Sequence, residues 1–145
     1  MPRQLPPGFF DRVSRLRRQI SIGIQSGLST VRDLDLTLVQ SLALLHLGEE
    51  GPSTVSALQA VVQRSQSSTS ALIDQLEQRS LVERRRSATD GRSREVHLTT
   101  SGRAVVDAFD QAREDGLRRT LAEVPLETLR RFDEAIAEVL KALPE

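Results

Sequence analysis

A chain of 145 residues, 38% hydrophobic and 28% charged, has the makeup of a soluble globular protein able to bury a core. It has no cysteine and only two histidines, His46 and His97, which excludes disulfides, thiolate metal sites and imidazole-rich catalytic or transition-metal centres. Twenty basic and twenty acidic side chains cancel, nineteen of the bases being arginine and the other Lys141, but they are segregated along the chain. Residues 1–32 hold six arginines against one acid, and 33–61 hold four acids and no base. Residues 62–103 hold eight arginines against five acids, and 104–145 six bases against ten acids. A bipolar chain can turn a basic face to phosphate while its net charge stays at zero. No apolar run approaches the roughly 18–20 residues that cross a bilayer. MPRQLPPGFF has no apolar signal core, so the expected location is the cytoplasm.

In chain order, Phe9, Val13, Leu16, Ile20, Ile24 and Leu28 recur every three or four residues and predict a helix over 9–29. Its other face carries Arg12, Arg15 and Arg18. Gly23 and Gly27 weaken this helix but allow another to approach closely. A second helix starts near Thr37, uses Leu38, Val39, Leu42, Leu45 and Leu47, and stops at Gly48, with Gly51-Pro52 as the break. Ser53 or Thr54 can cap a short helix with Val55, Leu58 and Val61 or Val62. Ser65 is the expected N-cap of a helix over 66–78, with Leu72, Ile73 and Leu76 buried and Gln66, Ser67, Ser70 and Asp74 outward. Two short helices in succession, the second showing small polar side chains, fit a helix-turn-helix. Strands follow near 82–86 and 94–98 around the turn signal Asp90-Gly91. Thr99 or Thr100 then caps a helix using Val105, Val106, Phe109, Ala112 and Leu117. Pro125 sits at the first turn of a last helix lined by Leu126, Leu129, Phe132, Ile136, Val139, Leu140 and Leu143. The expected fold is mainly α with a small β-hairpin.

The chemistry concentrates between these elements. Six arginines lie between Arg79 and Arg94, three of them consecutive at Arg84-Arg85-Arg86. A hairpin that projects guanidinium groups beside a short polar helix is suited to gripping duplex DNA. The helix start at Ser65–Ser67 can accept a phosphate, Ser67, Ser68 and Ser70 can bond phosphates or base edges, and Gln66 can pair bidentately with adenine. Arg92 is the best candidate for insertion into a minor groove, oriented by Asp90, while Arg84, Arg86 and Arg94 suit the phosphate backbone. Blander readings exist for each feature: exposed hairpin arginines can be a solvated face, and serines at a helix start can be capping chemistry alone. His46 reads as packing at the end of the second helix. His97 reads as pointing away from the Val96/Leu98 face, and a metal role for it is not expected.

The whole chain resembles the MarR family of transcription regulators. Four patterns carry the resemblance in the family's order: Leu36-Thr37-x-x-Gln40, Leu76-Glu77-x-x-x-Leu81-Val82-Glu83-Arg84, Asp90-x-Arg92 and Leu98-Thr99-x-x-Gly102-Arg103. The resemblance covers roughly residues 9–143. It implies a single winged helix-turn-helix domain, with a DNA-binding lobe over 36–100 and dimerisation helices over 9–29 and 101–143. It also implies a homodimer on palindromic DNA, with Phe9, Val13, Leu16, Phe109, Phe132, Ile136, Val139 and Leu140 in the core or at the dimer interface. The chain departs from the family at Ser80, where glycine is usual, at Gln59, where alanine is usual, and at Ser70, where many relatives carry arginine.

The expected function is therefore a sequence-specific DNA-binding regulator, a homodimeric repressor that a small-molecule inducer can release. No cofactor, metal or membrane partner is expected. A winged-helix protein–protein module without operator binding is the alternative, favoured by Ser70 and the zero net charge. An enzyme finds no support, since the chain lacks a phosphate-binding glycine loop, a nucleophile elbow and a placed acid pair.

Overall fold

The computed structural model describes residues 5–87 and 94–144. Helix α1 (Phe9–Leu28) runs into a short 3-10 helix (Ser29–Leu34) that the apolar spacing does not announce. Helix α2 (Leu38–Glu49) follows, then strand β1 (Ser53–Thr54) and helices α3 (Val55–Val62) and α4 (Gln66–Gln78). Strands β2 (Val82–Arg86) and β3 (Arg94–Leu98) precede the long α5 (Thr100–Leu121) and the final α6 (Leu126–Ala142). The sheet is antiparallel in the order β1-β3-β2, with Ser53 opposite Val96 and Val82 opposite Leu98. Strand β1 is an addition to the sequence reading. Two residues are too short for a periodic signal, and Thr54 ends the strand while its hydroxyl caps α3 by accepting from the Ala57 amide.

The core forms where α2, α3, α4 and the sheet meet, around Leu44, Leu47, Leu58, Ile73, Leu76 and Val96, each at most 2% exposed. Val106 of α5 closes it from the other side. Leu38 and Leu42, counted among the apolar positions of α2, stand exposed instead. Helix α5 packs along α1. Gly23 is the reason they approach so closely, since a Cβ there would lie 1.8 Å from Thr120 Oγ1 and 2.8 Å from the Gly116 carbonyl oxygen.

Local hydrogen bonding accounts for three of the four family-like patterns. In Leu36-Thr37-x-x-Gln40, the Thr37 hydroxyl accepts from the Gln40 amide while the Gln40 side chain accepts from the Thr37 amide, a reciprocal capping box. Gln40 then donates to Gln75 Oε1 at 3.1 Å, tying α2 to α4. In Leu76-Glu77-x-x-x-Leu81, the Leu81 amide donates to the Leu76 carbonyl and the Ser80 amide to the Glu77 carbonyl, the paired bonds that close a helix through a left-handed residue. That residue is Ser80, at φ 56°. In Leu98-Thr99-x-x-Gly102, the Thr99 hydroxyl accepts from the Gly102 amide and caps α5. Asp90-x-Arg92 lies outside the described residues.

Ser80 thus occupies a backbone conformation that disfavours a Cβ, the setting in which the glycine implied by the family resemblance would be unstrained. Ser80→Gly is expected to raise stability by about 0.5 kcal/mol: relief of left-handed strain exceeds the added chain entropy of the unfolded state. A higher urea midpoint at unchanged slope checks this, and an unchanged or lower midpoint would show that the serine is not strained.

Helix α6 buries none of its residues within the chain. Leu126, Ile136, Val139, Leu140 and Leu143 are all exposed, as are Phe9, Phe10 and Val13 of α1. Leu16 and Phe132 are half-buried and line an apolar cavity with Leu121, Val124 and Leu129. Phe109 is only 8% exposed, buried within the chain itself, so it has little surface left for a partner.

Candidate nucleic-acid interface

The helix-turn-helix consists of α3, a left-handed Gln63 at φ 50°, and α4. Val62 and Leu58 anchor α3, while Thr69, Ile73 and Leu76 anchor α4. Thr69 is fully buried because its hydroxyl donates to the Ser65 carbonyl at 2.9 Å. With that face committed, the opposite side of the helix start is left to solvent. Ser65 caps α4 by accepting from the Ser68 amide at 3.2 Å, and its hydroxyl also lies within 3.1 Å of the Ser67 and Ser68 hydroxyls. Gln66, Ser67 and Ser68 are exposed, whereas Ser70 is half-buried. The result is an exposed, hydroxyl-rich helix N-terminus carrying partial positive charge, with Arg64 exposed immediately before it.

Side chains two apart on a strand share a face, so the sheet sorts its charges. On one face lie Glu83, Arg85, Glu95 and His97, each with a polar neighbour, although the buried His97 Nε2 makes no hydrogen bond. Arg85 pairs with Glu83, Ser87 Oγ donates to Glu95 Oε1 at 2.7 Å, and His97 Nε2 lies 3.5 Å from Glu95 Oε2. His97 does point away from the Val96 face, as the alternation implies. His46 packs at the end of α2, its Nε2 3.3 Å from the Ser53 hydroxyl.

The other face, which meets α4, carries Val82, Arg84 and Arg86 opposite Leu98, Val96 and Arg94. Here the three arginines named for DNA divide. Arg84 is expected at phosphate, yet its guanidinium is turned onto α4. It pairs with Glu77 and with Asp74 Oδ1 at 2.7 Å, and its backbone amide donates to Glu77 Oε1 at 2.9 Å. Asp74 and Glu77 face outward one turn apart on α4, and without Arg84 they would set two carboxylates beside any bound phosphate.

Arg86 and Arg94 are different. They stand directly opposite one another across the ladder, both exposed, and neither has an ion-pair or hydrogen-bond partner among the described residues. Like charges placed directly opposite destabilise a sheet, so the pair is a poor choice for folding and a good one for an anion. Asp90 and Arg92, assigned to the hairpin tip, lie outside the described residues. Arg64 is missing from the sequence reading of the site. Its position immediately before the Ser65 cap was the available signal.

Two short helices with an exposed second N-terminus, packed with a three-stranded antiparallel sheet whose strands carry arginines unpaired among the described residues, define a winged-helix protein. The MarR family model matches residues 34–93, the span from the end of the 3-10 helix to the residue before β3. The HTH-type transcriptional regulator YsmB of Bacillus subtilis is 26% identical over 124 residues, covering 86% of this chain and 85% of YsmB. The crystal structure of the transcriptional regulator Tm0710 from Thermotoga maritima superposes with a TM-score of 0.78 at 20% identity, over 91% of this chain and 94% of that one. A mutant of S. aureus MepR bound to an oligodeoxyribonucleotide superposes with a TM-score of 0.63 at 26% identity, over 91% and 98%. Residues 34–93 thus match the MarR family of transcriptional regulators, and the chain shares the fold of solved transcriptional regulators over most of its length.

Proposed function

We propose that this regulator is a homodimeric repressor that binds a palindromic operator. The α4 start of each copy, at Ser65, Gln66, Ser67, Ser68 and Ser70, meets the major groove, and the hairpin with Arg86, Arg94, Arg92 and Asp90 meets the flanking backbone and minor groove. Residues 36–100 act as the DNA-binding lobe, and 9–29 with 101–143 as dimerisation helices, all within one domain. The observation that carries this reading is the facing pair Arg86 and Arg94, without ion-pair partners among the described residues, while on the opposite face Arg85 is paired with Glu83 and Glu95 accepts from Ser87. The DNA-bound MepR mutant, of the same fold, supports duplex DNA as the partner.

Dimerisation is supported by the apolar side chains Ile136, Val139 and Leu140 that α6 leaves exposed, and by the exposed Phe9 and Val13 of α1. A ligand releases DNA in this scheme by preferring a dimer whose two α4 helices are wrongly spaced, a shift of population rather than a new chemistry. The cytoplasm is the compartment this function requires, and no helix among the described residues is long and apolar enough to cross a membrane.

The test is a mobility-shift titration and footprint on the DNA flanking the protein's own gene. Arg92→Ala is expected to weaken the complex about tenfold or more while leaving the dimer intact by light scattering. An unchanged titration would remove Arg92 from the interface. No complex at all, with a stable dimer, would favour a protein-interaction module instead.

A further inference from the structure

We propose that Arg79 is a positioning residue for operator binding: it clamps the C-terminal end of α4 to the connector that descends from α1, and so sets the angle at which α4 is presented. The proposal rests on the DNA-binding reading for its consequence, though not for its geometry. Arg79 is the residue that ends α4, and its guanidinium reaches 44 and 45 residues back along the chain. Nη1 donates to the Asp35 carbonyl and Nη2 to the Leu34 carbonyl, both at 2.6 Å. Those are the last carbonyls of the 3-10 helix and its exit, groups that carry partial negative charge and have no helical partner of their own.

Both sides of the clamp have an uncommon backbone conformation. Asp35 and Ser80 are both left-handed non-glycine residues, at φ 46° and 56°, and they sit at the acceptor and donor ends of this contact. The 3-10 helix in turn packs against α1 and α5. A displacement of α1 against α5 therefore reaches α4 through two bonds from one planar group. The clamp is exposed, and water can replace either bond, so it contributes little to folding. Its effect is directional. A planar fork spans two carbonyls at a fixed spacing, whereas a lysine, with the same charge, can satisfy them only as a point donor.

The natural chain has no cysteine, so spin labels can be placed at will. Ala71→Cys on α4 and Asp107→Cys on α5, both exposed positions, report the angle between the two helices when labelled chains are diluted with unlabelled ones. In that background Arg79→Lys is expected to broaden the label-to-label distance distribution. In the unlabelled full chain it is expected to weaken binding to the flanking DNA about tenfold, and Arg79→Ala at least as much. An Arg79→Lys protein with the natural distance distribution overturns the clamp. So does natural DNA affinity in Arg79→Lys alongside a loss in Arg79→Ala, because Arg79 would then be a simple phosphate contact. A fall in melting temperature as large as a core truncation causes also overturns it, by making Arg79 a part of the fold. If the natural protein itself binds no flanking DNA, the functional reading fails, and the label distances alone decide the clamp.

Discussion

Gly102→Ala is expected to cost about 3 kcal/mol of folding stability, at the upper end of what overpacking does. A Cβ at this position would stand 1.9 Å from the Leu81 carbonyl oxygen, 2.9 Å from its carbon and 3.1 Å from Leu98 Cδ2. The first two are backbone atoms and cannot rotate away. They also cannot retreat cheaply, because the Leu81 carbonyl accepts from the Thr99 amide at 3.1 Å and the Leu81 amide closes α4 onto Leu76. Thr99 is held as well, its hydroxyl donating to the Ser80 carbonyl at 2.6 Å while accepting from Gly102. One methyl group would thus push on the exit of α4, the start of the hairpin and the cap of α5 together. In urea the midpoint should fall with the slope unchanged. A variant within about 0.5 kcal/mol of the natural protein would show that this junction yields, contrary to its bonding.

Raising salt from about 50 to 200 mM is expected to weaken the operator complex roughly thousandfold. Arg64, Arg86 and Arg94 are exposed and have no ion-pair partner among the described residues, and two copies double that number. Roughly six phosphate contacts release enough counterions for a slope near five in log affinity against log salt. Arg84 is left out of this count because Asp74 and Glu77 already neutralise it. Arg86→Ala should lower the slope by about two in the dimer, and Arg84→Ala should not lower it in that way. A salt-insensitive complex would mean that the arginines on the α4 side of the sheet do not meet phosphate.

Most element boundaries were legible because apolar spacing and caps act locally. Ser65, Thr99 and the α4 stripe at Ile73 and Leu76 lie where the periodicity places them, and the strands run over 82–86 and 94–98 as expected. The 3-10 helix and β1 were not legible. One lacks a period of its own, and the other is two residues whose hydroxyls read equally well as caps. The departure at Ser80 was visible in the sequence, and the structure supplies its meaning in a left-handed φ.

The site divides in the same way. The chain's own order of residues determined that a polar helix start and an arginine-rich hairpin would be neighbours, since both follow from short-range pattern and turn chemistry. It could not determine which arginines remain free. Arg84, Arg86 and Arg94 look alike in a string, but only Arg84 falls beside Asp74 and Glu77 once β2 is laid on α4, because strand alternation and helix pitch bring those charges together only after packing. The reach of Arg79 to Leu34 and Asp35 is likewise a product of tertiary structure: hydrogen bonds between residues so far apart in sequence leave no periodic trace.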